Sequence, residues 1–352
     1  MARKAAKSPV PTLDNAAIAE LLALESEAAE YPLKKALRRA SRRAFIWPEE
    51  VTQLSREGRS LTELPAVGPY LEKLLRRWIE DPPVMGEPPA IRKDFLTIPQ
   101  ARSLLASDPA WLGGVKGDLQ MHTQWSDGLG SIREMAAAAV ERGYEYIAIT
   151  DHSKRVTMAL GFDAKRLREQ WKAIDSWNAT SRGFTILRSI ELDILENGKL
   201  DLPDDVLADA DYVVATIHYG LTQTKQQLTR RLIGAAEHPW VDTIGHPTGR
   251  ALGRREPYAI DFDALCRACV ATGCLLELNG HPERMDLPDT LAAAAQQQGV
   301  RFVLSTDSHQ PGNLPFMKYA VYLARRAGLE AGDILNTRPL AEFRKGLKRA
   351  KP

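Results

Sequence analysis

The chain reads as an α/β protein in which a small all-α region precedes a parallel-sheet domain. From about residue 117 onward, short apolar β-rich runs alternate with amphipathic helical patterns over more than 200 residues. Alternation of that kind builds a parallel sheet, either open or closed into a barrel. Ahead of it, helical periodicity alone is visible, and 352 residues exceed one average domain but suit two or three.

Residues 1–13 form a basic tail with Arg3, Lys4 and Lys7 and without the apolar stretch of a secretory leader. Residues 14–80 form a helical domain. Asn15 caps a run marked by Ile18, Leu21, Leu22 and Leu24, and a second helix over Leu33–Trp47 turns Leu37, Ala40, Ala44 and Phe45 inward. Lys34, Lys35, Arg38, Arg39, Arg42 and Arg43 recur on that helix as a stripe that could meet phosphates or simply face water. A short helix through Val51 and Leu54 precedes Leu64-Pro65-Ala66-Val67-Gly68, which opens a helix with Leu71, Leu74, Leu75 and Trp78. Residues 81–115 are a linker with a Pro-rich start and one helix over about 90–112.

The large domain, 116–352, has strand runs at Tyr146–Thr150, Phe184–Ile190, Tyr212–Ile217, Thr243–Gly245, Leu275–Leu278 and Phe302–Ser305. Helices are expected at Ile132–Glu141, Lys165–Trp177, Lys225–Ala236, Asp261–Ala271, Pro288–Gln298 and Pro315–Arg326.

A content of 44 % apolar and 26 % charged residues excludes a wholly disordered chain. No apolar run approaches the ~20 residues of a membrane span. Three cysteines are an odd number, which argues against a disulfide framework and fits a reducing cytoplasm. Cys266, Cys269 and Cys274 lack a fourth soft ligand and read as buried core thiols. The net charge of +2 is unevenly spread: residues 1–116 hold 18 Lys/Arg against 15 Asp/Glu, the remainder 29 against 30.

Five of the seven histidines stand at or just past a strand end: His122, His152, His218, His246 and His309, with Glu191 and Asp307 in the same kind of position. In a parallel barrel all strand C-termini open on one face, so these groups converge there as a metal cluster. Imidazole mixed with carboxylate and no thiolate suits Zn²⁺, Mn²⁺ or Fe. So many ligands imply two or three divalent ions, with Glu191 as the bridging carboxylate, the arrangement that activates water and clamps an in-line phosphoryl displacement. Lys154, Arg155, Arg250 and Arg284 are nearby cations able to hold a substrate phosphate. His238 and His281 fall outside these motifs, His281 close enough to a strand end to face the cluster.

Gly117-Asp-Leu-Gln-Met-His-Thr-Gln-Trp-Ser-Asp-Gly128, Thr150-Asp-His-Ser153, Gly245-His-Pro-Thr-Gly-Arg250 and Thr306-Asp-Ser-His309 resemble the motifs of the PHP (polymerase and histidinol phosphatase) domain. The likeness spans about residues 116–340 and extends to the PHP domain appended to bacterial family X DNA polymerases. It implies a distorted (β/α)7 barrel with a metal site of Gln120, His122, Asp127, His152, Glu191, His218, His246, Asp307 and His309. Among these, Glu191, Asp307 and His309, with Lys154 and Arg250 on the phosphate, would be catalytic. Gln120 departs from the family's usual histidine, and an amide oxygen is a weaker ligand.

Residues 14–80 resemble the small helix-hairpin-helix domain of the same polymerases, with Ala66 replacing the usual first hairpin glycine. That implies DNA-backbone contacts from Pro65, Val67, Gly68, Lys73 and Arg76. Lys73 stands one residue before the position of that domain's lyase lysine, which Leu74 takes, so lyase activity is not expected. The 35 or so residues between the two regions leave no room for a polymerase core. The expected activity is metal-dependent phosphoester hydrolysis in DNA, as a 3′–5′ exonuclease or in 3′-end or abasic-site repair. The alternatives are a small-molecule phosphatase, such as one acting on histidinol phosphate, and a non-catalytic DNA-binding protein with a decayed site. Oligomeric state is left open.

Overall fold

The computed structural model describes residues 13–86 and 95–348, so nearly all of the basic tail lies outside the described residues. The chain divides into two compact units, one ending at Ser103 and one beginning at Leu104. No described helix is long and apolar enough to cross a membrane.

The first unit holds α1 (Asn15–Ala28), α2 (Leu33–Ala44), α3 (Val51–Arg56), a 3-10 turn at Leu61–Glu63, and α4 (Pro69–Glu80). Its core collects Ile18, Leu22, Leu37, Trp47, Leu54, Leu61 and Leu75, all fully buried. Asp14, not Asn15, caps α1: its carboxylate accepts from the Ala17 N–H at 2.8 Å. Asn15 instead ties two segments, donating to the Glu49 carbonyl and accepting from the Val51 N–H, each at 2.8 Å. The second helix stops at Ala44 rather than Trp47. The Trp47 indole turns inward to donate to the Pro65 carbonyl at 2.9 Å.

The expected single helix over 90–112 is two, α5 (Ile98–Ala106) and α6 (Pro109–Gly113). A proline is at home in the first turn of a helix and breaks one in mid-course. The segment expected as a linker is partly built into the first unit. The Phe95 ring lies 3.9 Å from that of Phe45, the Ile98 N–H donates to the Phe45 carbonyl, and Gln100 donates to Asp14 at 2.6 Å.

The second unit is a seven-stranded, all-parallel sheet in sequential order. Its strands are β1 (Gly117–Asp118), β2 (Tyr146–Ile149), β3 (Thr185–Asp193), β4 (Tyr212–Thr216), β5 (Thr243–Ile244), β6 (Leu275–Asn279) and β7 (Phe302–Ser305). Between and after them run α7 (Ile132–Glu141), α8 (Ala164–Asn178), α9 (Asp204–Asp209), α10 (Lys225–Glu237), α11 (Phe262–Thr272), α12 (Asp289–Gln297), α13 (Met317–Arg326) and α14 (Leu340–Gly346). Capping boxes at Ser131/Glu134 and Thr224/Gln227 start α7 and α10. The sequence reading lacked β1, α9 and α14, each too short for a period to show. The three cysteines are free and buried, as expected.

Strand parity sorts the interior. Ile147, Ile149, Ile186, Val213, Leu276 and Phe302 pack into the main cluster with residues of the surrounding helices. The alternate residues Tyr146, Ala148, Leu187, Tyr212, Val214, Leu275 and Val303 form a second cluster with Leu335, Phe343 and Leu347. Phe343 of α14 packs at a tilt against Tyr146 and Tyr212, the first residues of β2 and β4, at ring distances of 5.0 and 5.9 Å. It therefore plugs the N-terminal end of the barrel. Continuing along the same face, Ser189, Glu191, Asp193, Glu277 and Asn279 make the C-terminal end polar, though all are buried.

The seam between the first and last strands is closed by side chains as much as by backbone. Met121 bridges in parallel to Ser308, and the His122 N–H donates to the Ser308 carbonyl at 2.7 Å. Asp118 accepts from the Thr306 N–H and hydroxyl at 3.0 and 2.5 Å. Buried Asn336 donates to the Gly117 and Leu304 carbonyls at 2.7 and 2.9 Å and accepts from the Leu304 N–H at 2.9 Å. Replacing Asn336 by alanine leaves three buried backbone groups without partners. We expect a loss of about 2–4 kcal/mol in chemical denaturation, with the seam amides of Leu304 and Thr306 losing hydrogen-exchange protection first.

Candidate metal centre

Six of the seven strands deliver expected ligands to one site at the C-terminal end of the barrel. Gln120 and His122 follow β1, His152 follows β2, Glu191 lies within β3, His218 follows β4, His246 follows β5, and Asp307 and His309 follow β7. Glu191 is thus inside its strand rather than past the end, because β3 runs on to Asp193.

Glu191 is the hub. One carboxylate oxygen lies 3.4 Å from His122 Nε2 and 3.2 Å from His152 Nδ1. The other lies 3.3 Å from His218 Nε2 and 2.8 Å from His246 Nε2. Asp127 faces His122, His152 and His309 at 3.7, 3.5 and 3.6 Å. Asp307 reaches His122 at 3.1 Å. Two sets have ligand atoms all within 4.8 Å of one another, His122/Asp127/His152/His309 and His152/Glu191/His218. His152 belongs to both, as an interior ligand of a multinuclear site would.

The donor set fits metal ions on a second count. His122 Nδ1, His152 Nδ1, His218 Nε2, His246 Nδ1 and both polar atoms of the Gln120 amide are buried without a hydrogen-bond partner. Buried polar groups are ordinarily satisfied, so such a concentration marks places for a ligand. Two residues of the set are held in left-handed backbone, His246 at φ 28° and Asp307 at φ 52°, a strain that non-glycine residues adopt where the surroundings impose it.

The charges are mutually dependent. Burial alone would push the Glu191 carboxyl up, but the imidazoles of His152 and His218 hold it well below the usual carboxylate range. Burial opposes a proton on His122, yet its Asp307 hydrogen bond and the Glu191 charge push it up to about 10. His218, with Glu191 and Asp193 outweighing its burial, is pushed up to about 9. His246 goes the other way, burial and Arg284 lowering it to about 4.

A supporting layer was missed in the sequence. Asp193 accepts from the His218 backbone N–H at 3.0 Å and lies 3.3 Å from its Nδ1, aiming Nε2 at Glu191. Its signal was parity, since it stands two residues from Glu191 on the same strand face. Glu277 accepts from the His246 N–H at 2.5 Å, and Asn279 donates to Asp307 at 3.2 Å. Burial pushes Glu277 up to about 8.

The expected phosphate cations separate. Arg284 donates from Nε to Asp307 at 2.9 Å, within the site. Arg250 is not free for substrate: it is buried and donates to the Arg284 carbonyl at 2.9 Å and to the Met285 carbonyl. It holds the loop that carries Arg284. Lys154 is exposed beside Asp201, and Arg155 pairs with Glu196. His281 lies 6.4 Å from the His309 ring, at the edge of the site, whereas His238 pairs with Asp204 away from it.

Of the residues expected to meet DNA, Pro65 and Lys73 are exposed and Gly68 caps α4. Ala66, between Pro65 and Val67, takes the left-handed conformation at φ 67°. The other two are engaged within the unit. Val67 is buried in the core, and Arg76 is occupied by Glu72 at 2.8 Å and the Arg59 carbonyl at 2.7 Å.

With His122 and His218 as metal ligands, each would give up a proton on metal uptake near neutrality, because ligation needs neutral imidazole. Calorimetry in buffers of different ionisation enthalpy is expected to show release of about two protons at pH 7.5. Apparent affinity should rise with pH up to 9–10, the range of their raised values.

Residues 118–281 match the PHP domain family. The DNA polymerase/3′-5′ exonuclease PolX of Bacillus subtilis (strain 168) is 46 % identical over 238 residues, which is 68 % of this chain and 42 % of that protein. The chain therefore spans less than half of that relative's length. A probable phosphatase of Clostridium acetobutylicum is 34 % identical over 134 residues, 36 % of this chain and 52 % of the relative. A histidinol phosphate phosphatase from Lactococcus lactis, solved with zinc, L-histidinol and phosphate, aligns with TM-score 0.44 and 17 % identity over 61 % of this chain and 94 % of that one. Residues 118–281, which hold seven of the nine expected ligands from Gln120 to His246, are by this match a PHP domain.

Proposed function

We propose that this chain is a metal-dependent phosphoesterase that hydrolyses phosphoester bonds in DNA. The observation that carries the proposal is Glu191, buried and ringed by four histidines with unsatisfied nitrogens. His122, Asp127, His152, Glu191, His218, His246, Asp307 and His309 would hold two or three divalent ions, with the Gln120 oxygen as the weakest ligand. Such ions lower the pKa of water and draw charge from phosphoryl oxygens.

The residues themselves arrange the substrate. Asp127 and His309 have side chains 35 and 33 % exposed, while His122 and Glu191 below them are 0 and 1 % exposed. The scissile phosphate therefore enters past Asp127 and His309. Arg284, its Nε fixed on Asp307, offers a guanidinium at the ligand edge for a phosphate oxygen. The identity to a polymerase/exonuclease supports DNA as the substrate, as does the first unit, where Pro65, Gly68 and Lys73 border the exposed start of α4. A helix N-terminus of this kind can face a phosphate without reading sequence. The phosphatase relatives supply the second reading, a small phosphomonoester.

Full-length protein with Mn²⁺ or Zn²⁺ should shorten a 5′-labelled oligonucleotide from its 3′ end or cleave an abasic duplex, and leave histidinol phosphate largely intact. Turnover of histidinol phosphate with inert DNA would sink the proposal. Glu191→Gln and His152→Ala should each lose more than the ~10–100-fold typical of an outer-shell partner. Arg284→Ala should raise KM for the oligonucleotide about 10-fold or more, whereas Arg250→Ala should first lower stability, by about 1–3 kcal/mol, because two loop carbonyls lose their donor.

A further inference from the structure

We infer that the outer face of α2 is the main surface on which this chain holds the phosphate backbone of duplex DNA. The inference rests on the reading of DNA as substrate and places its principal contact away from the hairpin turn.

α2 reads LKKALRRASRRA and contains no acidic residue. At ~100° per residue, Lys34, Lys35, Arg38, Arg39, Arg42 and Arg43 fall on one half of the helix, while Leu37, Ala40, Ser41 and Ala44 fall on the other. The structure follows that division. The four residues of the second group are buried, five of the cations are exposed, and Lys34 is half-exposed. Among the described residues none of the six cations makes an ion pair. Elsewhere in the unit, Arg59 holds Glu49, Glu57 and Glu63, and Arg76 holds Glu72.

The arrangement is unfavourable for an isolated helix. Lys34/Arg38, Lys35/Arg39, Arg38/Arg42 and Arg39/Arg43 are like charges at i,i+4, each mildly destabilising. A polyanion laid on the face reverses that sign. Six charges spread over ~14 Å of helix meet about eight phosphate charges on the same length of duplex. An anionic membrane is the poorer fit, since surface-binding helices set apolar side chains beside their cations. Here Leu37, Ala40 and Ala44 are turned into the core, leaving Ala36, at the edge of the cationic arc, as the exposed apolar residue of α2.

The test is fluorescence anisotropy of the full chain with a labelled mixed-sequence 20-base-pair duplex, in EDTA, from 50 to 200 mM salt. Replacing Arg38, Arg39, Arg42 and Arg43 together by Gln should weaken binding at 50 mM salt about 100-fold or more. It should also reduce the slope of log K against log salt by about 3–4, at ~0.9 per phosphate contact. The same four positions as Lys keep the charge and should keep the wild-type slope, so a fall in the Gln variant alone reads charge rather than folding. Unchanged DNA binding by the Gln variant would overturn the inference, as would wild-type protein that binds phosphatidylserine vesicles but not the duplex. Hydrolysis of bis(p-nitrophenyl) phosphate by wild type separates the two readings. Hydrolysis without duplex binding removes this surface and leaves the phosphoesterase; binding without hydrolysis does the reverse.

Discussion

The second unit is organised around one buried carboxylate. Glu191 sits at full burial with an imidazole at about the same short distance on four sides. A lone ionised carboxylate there would cost several kcal/mol, and the charge is tolerable only because it is shared among cationic or metal-bound neighbours. That constraint reaches outward. Three of the four histidines have a carboxylate partner besides Glu191: Asp193 for His218, Glu277 for the His246 amide, Asp307 for His122. The histidines also differ in their preference for a proton, His122 and His218 high and His246 low, according to how many carboxylates outweigh their burial.

The barrel makes this possible by separating its two ends. Period-two alternation places Leu187, Ser189, Glu191 and Asp193 on one strand face. The same face is thus apolar at one end, where Phe343 closes it, and acidic at the other. Buried polar side chains, Asp118 and Asn336 above all, complete the seam where the first strand offers only two residues for pairing. Strained backbone at His246 and Asp307 is tolerated because the closed sheet and its side-chain bonds determine those loops from both sides.

The first unit uses charge in the opposite way. Its acidic residues neutralise Arg59 and Arg76, which fasten the short helices together, while the cations of α2 are left facing water. The turn between the 3-10 segment and α4 holds Ala66 in left-handed backbone. Paired arginines carry structure and unpaired ones remain available to an anion, a distinction that residue type alone does not express.

The parallel α/β class, six of the seven strands and the convergence of five histidines were legible because strand–helix alternation and strand-end placement are local, periodic signals. α7 was placed at both its ends and α8, α10, α11, α12 and α13 to within two residues, since the apolar period carries through each. Short elements were not: two-residue β1 and the last helix, α14, exist because the barrel needs a first strand and a plug. The amino-acid order by itself determined which residues face inward and which chemical groups meet at the strand ends. The tertiary structure decided their partners: that Arg250 and Arg76 are bound to carbonyls and Glu72 while Arg284 reaches Asp307, that Asp193 aims His218, and that the presumed linker packs on Phe45. The physical reason is that pairing, burial and strain are relations between residues far apart in the chain, and a one-dimensional pattern carries no distances.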